Sequence, residues 1–209
     1  MSLMHCRELE TITEKDYEEA LEFLYRFYVC YKIIGGLESA NLVDSIARHS
    51  YSLETKGSKE TLDEWKASFS EKLPSRASFE SCLSALGWSN RWDLYKGSKL
   101  KGRCRLVLDL LEQQVGKVDR VEDFTIEHAL PDSADESNSM IGNLLPLEEH
   151  LNARCKDLPL KKKLPIYSES RFATTRSFAE RYSKAKFFVQ ERSKQIARQL
   201  YDETSVSKS

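Results

Sequence analysis

Glu127 and His128 stand side by side at the end of a short β-branched and aromatic stretch, Phe124-Thr125-Ile126, with Asn143 and Asn152 downstream. An imidazole, whose unperturbed pKa is ~6.5, can strip a proton from water near neutrality. A carboxylate and an amide oxygen suit a hard divalent ion such as Mg²⁺, which prefers oxygen ligands and keeps several waters. Phosphodiester hydrolysis needs these parts: a base for water, a cation that neutralises charge on the phosphate and leaving oxygen, and a rigid frame. Adjacent strand residues point to opposite sides. At a strand end, where the backbone leaves the ladder, Glu127 and His128 can still border one cavity. Asn152 can close a metal site from the other wall, and Asn143 can hydrogen-bond across the loop and fix the His128 backbone. His150 offers either a substitute ligand or a solvated helix face, and Glu148 and Glu149 read as surface charges favoured by a helix dipole. The structural alternative is that His128 and Asn143 only tie down a loop.

These residues need a strand, a loop, a return strand and a helix. Phe124–Ile126 carries the first strand signal, and the polar run Asp132–Ser139 reads as loop. Ile141-Gly-Asn-Leu-Leu145 is the expected return strand, and Pro146 suits the first turn of a helix with its body from Leu147 to about Cys155. The result is a small ββα unit. Before it the chain reads as helices. Thr13 with Asp16 caps a long helix with two apolar stripes, expected inside a bundle and ended by Gly35-Gly36. Further helices are expected from Glu38 to about His49, from a Thr61/Glu64 capping box to before Pro74, from Ser78 to Gly87, and from Cys104 to Gly116. Trp88–Gly102 reads as a loop or short irregular helix. Helices near Thr174–Ala185 and Phe187–Asp202 follow, then a frayed tail at Ser205–Ser209. The expected fold is mainly α with a small β-hairpin, divided into a helical region 1–120, a functional domain 121–204 and the tail 205–209.

The chain has 209 residues, 40% hydrophobic and 31% charged, enough for one domain or two small ones. No apolar run approaches the ~18–20 residues of a membrane span, and the first residues lack the apolar stretch of a secretory signal. Five scattered cysteines (Cys6, Cys30, Cys82, Cys104, Cys155) have no metal-ligand spacing and suit reduced thiols in a cytoplasmic protein. The net charge of −1 hides an asymmetry. Residues 1–150 hold 18 Lys+Arg against 27 Asp+Glu, whereas residues 151–209 hold 14 against 6. A basic C-terminal quarter on an acidic body fits a phosphate-contacting surface, or simply solvated helix faces.

The ordered set Phe124-Thr-Ile-Glu-His-Ala-Leu-Pro131, Ile141-Gly-Asn-Leu-Leu-Pro-Leu147 and Leu151-Asn152 resembles the HNH-type nuclease domain of GmrSD-type, modification-dependent restriction proteins. Leu158-Pro159, Lys163, Tyr167 and Ser170 are similar to that family's Lys-x-x-x-Tyr-x-x-Ser stretch, and Val189 with Arg192 to its last helix. The resemblance covers residues 121–202, and Arg105–Glu112 looks like the helix leading into the domain. It implies a ββα-metal (His-Me finger) core in a helical domain, with His128 as general base and Asn143 orienting the loop. Glu127 and Asn152 would hold Mg²⁺ or Mn²⁺. Lys161, Lys162, Lys163 and Arg192 would serve as nucleic-acid-binding residues, with Lys163 and Arg192 either structural or phosphate-contacting. Ala129 and Pro146 depart from the family pattern without touching a presumed catalytic position.

The activity so implied is metal-dependent DNA cleavage by the effector part of a cytoplasmic restriction and defence protein. Target choice would rest with a nucleotide-hydrolysing sensor domain, since Gly35-Gly36 lacks the Lys and Ser/Thr of a phosphate loop. The alternative is a DNA-binding or protein-interaction module with a decayed site. A third reading gives the acidic N-terminal helices a partner-docking role.

Overall fold

Thr13 opens the first long helix in the way its sequence suggests. In a computed structural model that describes residues 2–119 and 121–204, the Thr13 hydroxyl accepts from the Asp16 N–H, and the Asp16 carboxylate accepts from the Thr13 N–H. The tail expected at Ser205–Ser209 lies outside the described residues. The chain divides into two units, Met1–Phe79 with Tyr201–Ser209, and Glu80–Leu200.

The first unit contains α1 (Ser2–Glu8), α2 (Glu14–Tyr28), α3 (Val43–Lys56) and α4 (Lys59–Ser70). Its core is aromatic: Phe23, Phe27, Tyr31, Trp65 and Phe69 pack ring against ring with centroids 5.0–6.3 Å apart. The expectation that α2 lies inside a bundle is corrected here. Ala20, Phe23, Phe27 and Tyr31 are buried and Tyr17 and Leu24 pack against the core, whereas Leu21, Tyr25 and Tyr28 are exposed, so one flank of the helix faces away from the core. After Tyr28 the helix widens into a π-helical segment, Val29–Ile34, and Gly36 takes the positive φ that ends it. Helix α4 is capped by Ser58, not Thr61, and α3 begins at Val43 behind a 3₁₀ turn.

Helix α5 (Arg76–Ser84) leads into the second unit, which holds α6 (Ser98–Gly116), β1 (Thr125–His128), β2 (Leu144–Leu147), α7 (Glu149–Cys155), α8 (Leu160–Tyr167), α9 (Ala173–Lys184) and the length of α10 (Val189–Thr204) up to Leu200. The strands pair antiparallel, with Glu127 opposite Leu145 and His128 opposite Leu144. The return strand is therefore displaced from its expected place: Ile141–Asn143 forms a 3₁₀ turn, and Pro146 lies in β2 opposite Ile126 instead of starting a helix. With only two strands in the sheet, Pro146 faces no third ladder, and its carbonyl accepts the Thr175 hydroxyl.

Ala129, Leu145, Leu147, Leu151, Cys155, Ile166, Tyr167, Phe178 and Ala179 form one core beneath the hairpin. Helix α8 was not foreseen from sequence, and Pro165 lies inside it. This unit takes in α6 and residues 86–95 as well as the hairpin. Arg105 on α6 donates to the Phe124 carbonyl at 2.6 Å, and Glu112 on α6 accepts from the Ala173 and Thr174 N–H groups that open α9. Among the described residues all five cysteines are free thiols, and no helix is long and apolar enough to cross a membrane.

Candidate active site

Two glycines let backbones close on the hairpin. At Gly87 a Cβ would lie 2.4 Å from the Ser139 carbonyl, and at Gly142 it would lie 2.1 Å from the Val189 carbonyl. The first close approach lays residues 86–88 along the loop that follows β1. Ile141 N–H donates to the Leu86 carbonyl at 2.7 Å and Trp88 N–H to the Ser139 carbonyl at 2.9 Å. The Trp88 carbonyl is thereby brought to 2.9 Å from Nε2 of His128, and the two rings pack with centroids 5.7 Å apart.

A carbonyl oxygen can only accept, so Nε2 carries the proton and donates. Neutral His128 is then held as the tautomer whose Nδ1 keeps its lone pair. His128 is half-buried, and the Lys101 ammonium sits 4.7 Å from the centroid of the Trp88 ring that flanks it. The arrangement is a fixed imidazole with one nitrogen able to accept a proton, beside an indole that carries a cation on its face. Trp88 was not singled out from sequence, because a main-chain acceptor carries no side-chain signature.

Glu127 points to the other face of β1, as the strand period requires. It is 5% exposed, and its Oε1 accepts both the Lys163 ammonium at 2.7 Å and the Tyr167 hydroxyl at 2.8 Å. Lys163, 1% exposed, also donates to the His128 carbonyl at 2.7 Å. One buried ammonium thus ties together the carboxylate of one site residue and the backbone of the next. Burial, then the Glu127 charge and hydrogen bond, push the Tyr167 phenol well above its ordinary value, so it stays a donor. Lys163 and Tyr167 share one face of α8 at spacing i, i+4. That spacing was legible in the chain, but without α8 it assigned Tyr167 no role.

Asn143 is fully buried and clamps the loop. Its Oδ1 accepts from the Leu130 N–H at 2.8 Å, and its Nδ2 donates to the Leu130 and Asn138 carbonyls at 2.7 and 2.6 Å. Its own carbonyl accepts from Ala129 N–H at 2.9 Å. The side chain grips the chain two residues beyond His128, not the His128 backbone itself. Asn152, on α7, donates through Nδ2 to the Thr125 hydroxyl at 2.8 Å and contacts the Ile126 carbonyl at 3.4 Å. Its Oδ1 meets no donor among the described residues, and neither does Oε2 of Glu127.

These two oxygens decide whether the residues fit a divalent ion. A carboxylate oxygen and an amide oxygen, both without a protein donor, are hard ligands of the kind Mg²⁺ accepts alongside water. Among the described residues no three His, Cys, Asp or Glu side chains converge on a point. The donor chemistry fits. His150 is exposed on α7. Glu148 is not the surface charge its position suggested: its carboxylate accepts the Ser170 hydroxyl at 2.8 Å and the Arg171 N–H at 2.7 Å.

Of the four basic residues singled out for nucleic acid, Lys161 and Lys162 are exposed at the start of α8, where a phosphate can reach them. Lys163 is the correction. It lies in the interior with two of its three N–H donors on Glu127 and His128, which fits the structural one of its two expected roles. Arg192 is also buried, with Nη1 donating to the Gly142 and Leu144 carbonyls at 2.7 and 3.0 Å, on either side of Asn143.

Compared with known protein families, residues 85–199 match the model of the GmrSD restriction endonucleases, C-terminal domain. The match begins upstream of Trp88 and so takes in the carbonyl that orients His128. No curated protein and no solved structure matches the chain.

Proposed function

The chain belongs to the family of GmrSD restriction endonuclease C-terminal domains, and from that premise we propose that it is a divalent-metal-dependent DNA endonuclease of the HNH type, with a ββα-metal core formed by β1, β2 and α7. The observation that carries the reading is the bond from His128 Nε2 to the Trp88 carbonyl, because it leaves Nδ1 as the proton acceptor. Glu127 and Asn152 would hold Mg²⁺ or Mn²⁺ through oxygens that meet no protein donor. The ion, when bound, neutralises charge on the phosphate and the departing oxygen.

The chain's own residues do the rest. His128 Nδ1 takes a proton from water as the water oxygen bonds to phosphorus and the bond to the leaving sugar oxygen breaks. The imidazolium so formed keeps its Nε2–H on Trp88, so the ring need not turn during the step. Asn143 holds the loop that follows the base, and Lys163 with Tyr167 fixes the orientation of Glu127. Lys101, Lys161 and Lys162 are the exposed cations that meet DNA phosphates. In this reading the chain is the effector of a defence protein in the cytoplasm, and a nucleotide-hydrolysing sensor domain chooses the target.

The test is conversion of supercoiled plasmid by the purified chain in Mg²⁺ or Mn²⁺, beside His128→Ala and a chelator control. Metal-dependent nicking that falls ~100-fold or more in the variant is the expected result. Salt-sensitive DNA binding without cutting would instead favour a decayed DNA-binding module. Cutting that survives His128→Ala would remove the base from His128.

A further inference from the structure

A cleft of about 220 Å³ opens between α6, α9 and α10, and neither His128 nor Trp88 lines it. Its floor is apolar, formed by Leu111, Val115 and Ile196, and its polar wall carries Thr174, Arg181 and Arg192. Among the described residues no carboxylate lines it. Glu112, on α6 next to Leu111, turns both oxygens to the Ala173 and Thr174 N–H groups and leaves none for the cleft.

The two arginines are what make the cleft unusual. Arg192 is 7% exposed and pairs with no carboxylate among the described residues. Its Nη1 makes both of its hydrogen bonds, so Nε and Nη2 retain their protons for another acceptor. Burial lowers its pKa to about 10, which still leaves it charged at neutral pH. A buried cation without a counter-charge is costly, and an anion in the cleft would offset that cost. Arg181 is exposed, is likewise unpaired among the described residues, and stands over the Tyr182 ring at 5.5 Å. A further, independent sign is Thr174. Its hydroxyl is buried and meets no hydrogen-bond partner, in a chain where nearly every other buried polar side-chain atom has one.

We propose that this cleft binds a phosphate ester. The phosphate meets Arg181 and the free edge of Arg192 in the forked geometry guanidinium groups favour, Thr174 supplies a further donor, and the ester's apolar or planar body lies on Leu111, Val115 and Ile196. A free nucleotide and a nucleoside phosphate of a DNA strand share this chemistry. Because Arg192 also holds the carbonyls flanking Asn143, an anion on it is sensed at the loop that follows His128. The binding itself does not depend on hydrolysis at His128.

The experiment is titration of the full chain, in chelator and without added metal, with three separate probes: inorganic phosphate, dAMP and a short DNA duplex. Wild type, Arg181→Ala, Thr174→Val and His128→Ala are compared by calorimetry. Arg181→Ala is expected to weaken binding ~10-fold or more, as befits loss of a charge-assisted contact, and Thr174→Val by a smaller factor. His128→Ala should bind as wild type does, so loss of nuclease activity and loss of this site are read separately. Binding of dAMP without the duplex assigns the cleft to a free phosphate ester. Duplex binding weakened by the same two variants assigns it to the strand. Failure of all three probes to bind wild type, or affinity unchanged in Arg181→Ala, overturns the proposal.

Discussion

Nε2 of His128 lies 2.9 Å from the carbonyl oxygen of Trp88, a residue 40 positions earlier in the chain. The contact fixes which imidazole nitrogen is protonated. In neutral His128 the expected species has a proton on Nε2 and none on Nδ1. Two-bond proton–nitrogen correlation spectra of labelled protein distinguish the two tautomers directly. A protonated Nδ1 in the neutral ring would remove the orientation on which the base assignment rests.

Lys163 and Glu127 form an ion pair with side chains 2% and 7% exposed. Removing one partner strands a buried charge, which typically costs ~3–5 kcal/mol, whereas replacing both with apolar groups is far better tolerated. Lys163→Met is therefore expected to destabilise the unit at Glu80–Leu200 by about that amount. The double variant Lys163→Met/Glu127→Leu should recover most of it. Denaturant unfolding, followed by hydrogen exchange at residues of β1 and β2, measures both; a fully additive double variant would argue against the pairing.

Asn143→Ala removes three side-chain hydrogen bonds at a site with no solvent to replace them. A loss of about 3 kcal/mol is expected, since buried partners left unsatisfied each cost ~1–3 kcal/mol and relaxation recovers some. The Leu130 amide should lose its protection from exchange at the same time. Unchanged protection there would mean that the loop is held by something other than Asn143.

Gly142→Ala tests the backbone approach that seats α10. The added carbon would meet the Val189 carbonyl and the Ser193 hydroxyl, 2.1 and 2.5 Å away, and Ser193 is the acceptor for the Gly142 N–H. Overpacking of this kind costs roughly 1–3 kcal/mol or more. A lower Tm together with loss of the Gly142 amide's protection is the expected outcome.

Glu148 makes stability depend on pH. Burial alone would raise its pKa, but the N–H groups of Arg171 and of Glu148 itself, the Ser170 hydroxyl and the Arg171 charge together hold it below the usual carboxylate value. An unfolded glutamate titrates near ~4.3. The folded value is the lower one, so the contribution is fully present above that pH and is lost as pH falls through the folded value. The stability difference between wild type and Glu148→Gln should therefore be largest near neutrality and shrink below about pH 4. A difference independent of pH would assign the effect to packing.

The candidate site was legible in the chain only as an ordered set. Glu127-His128, Asn143 and Asn152 stand out together through their resemblance to the family pattern, which also implies their roles. The strand, loop, strand and helix that carry them follow from β-branched and polar runs. Boundaries were less legible. Pro146 looked like a helix opener, yet it entered β2, because a two-stranded sheet leaves it no ladder bond to lose. Helix α8 escaped notice because Pro165 interrupts its pattern and three lysines mask its buried face. Nothing local ties residues 86–95 to a hairpin more than thirty residues away, so their place in the same unit was not legible either.

Local patterns thus determined which side chains could act as base, ligand and clamp, since residue type and the periods of strand and helix are properties of short segments. Tertiary structure alone decided the rest. The Trp88 carbonyl orients His128, Lys163 turns inward from a basic run to pair with Glu127, and Arg192 is buried without a counter-charge among the described residues. Each depends on a backbone group or a burial that arises only when segments distant in sequence pack together, and neither leaves a mark in the order of residues.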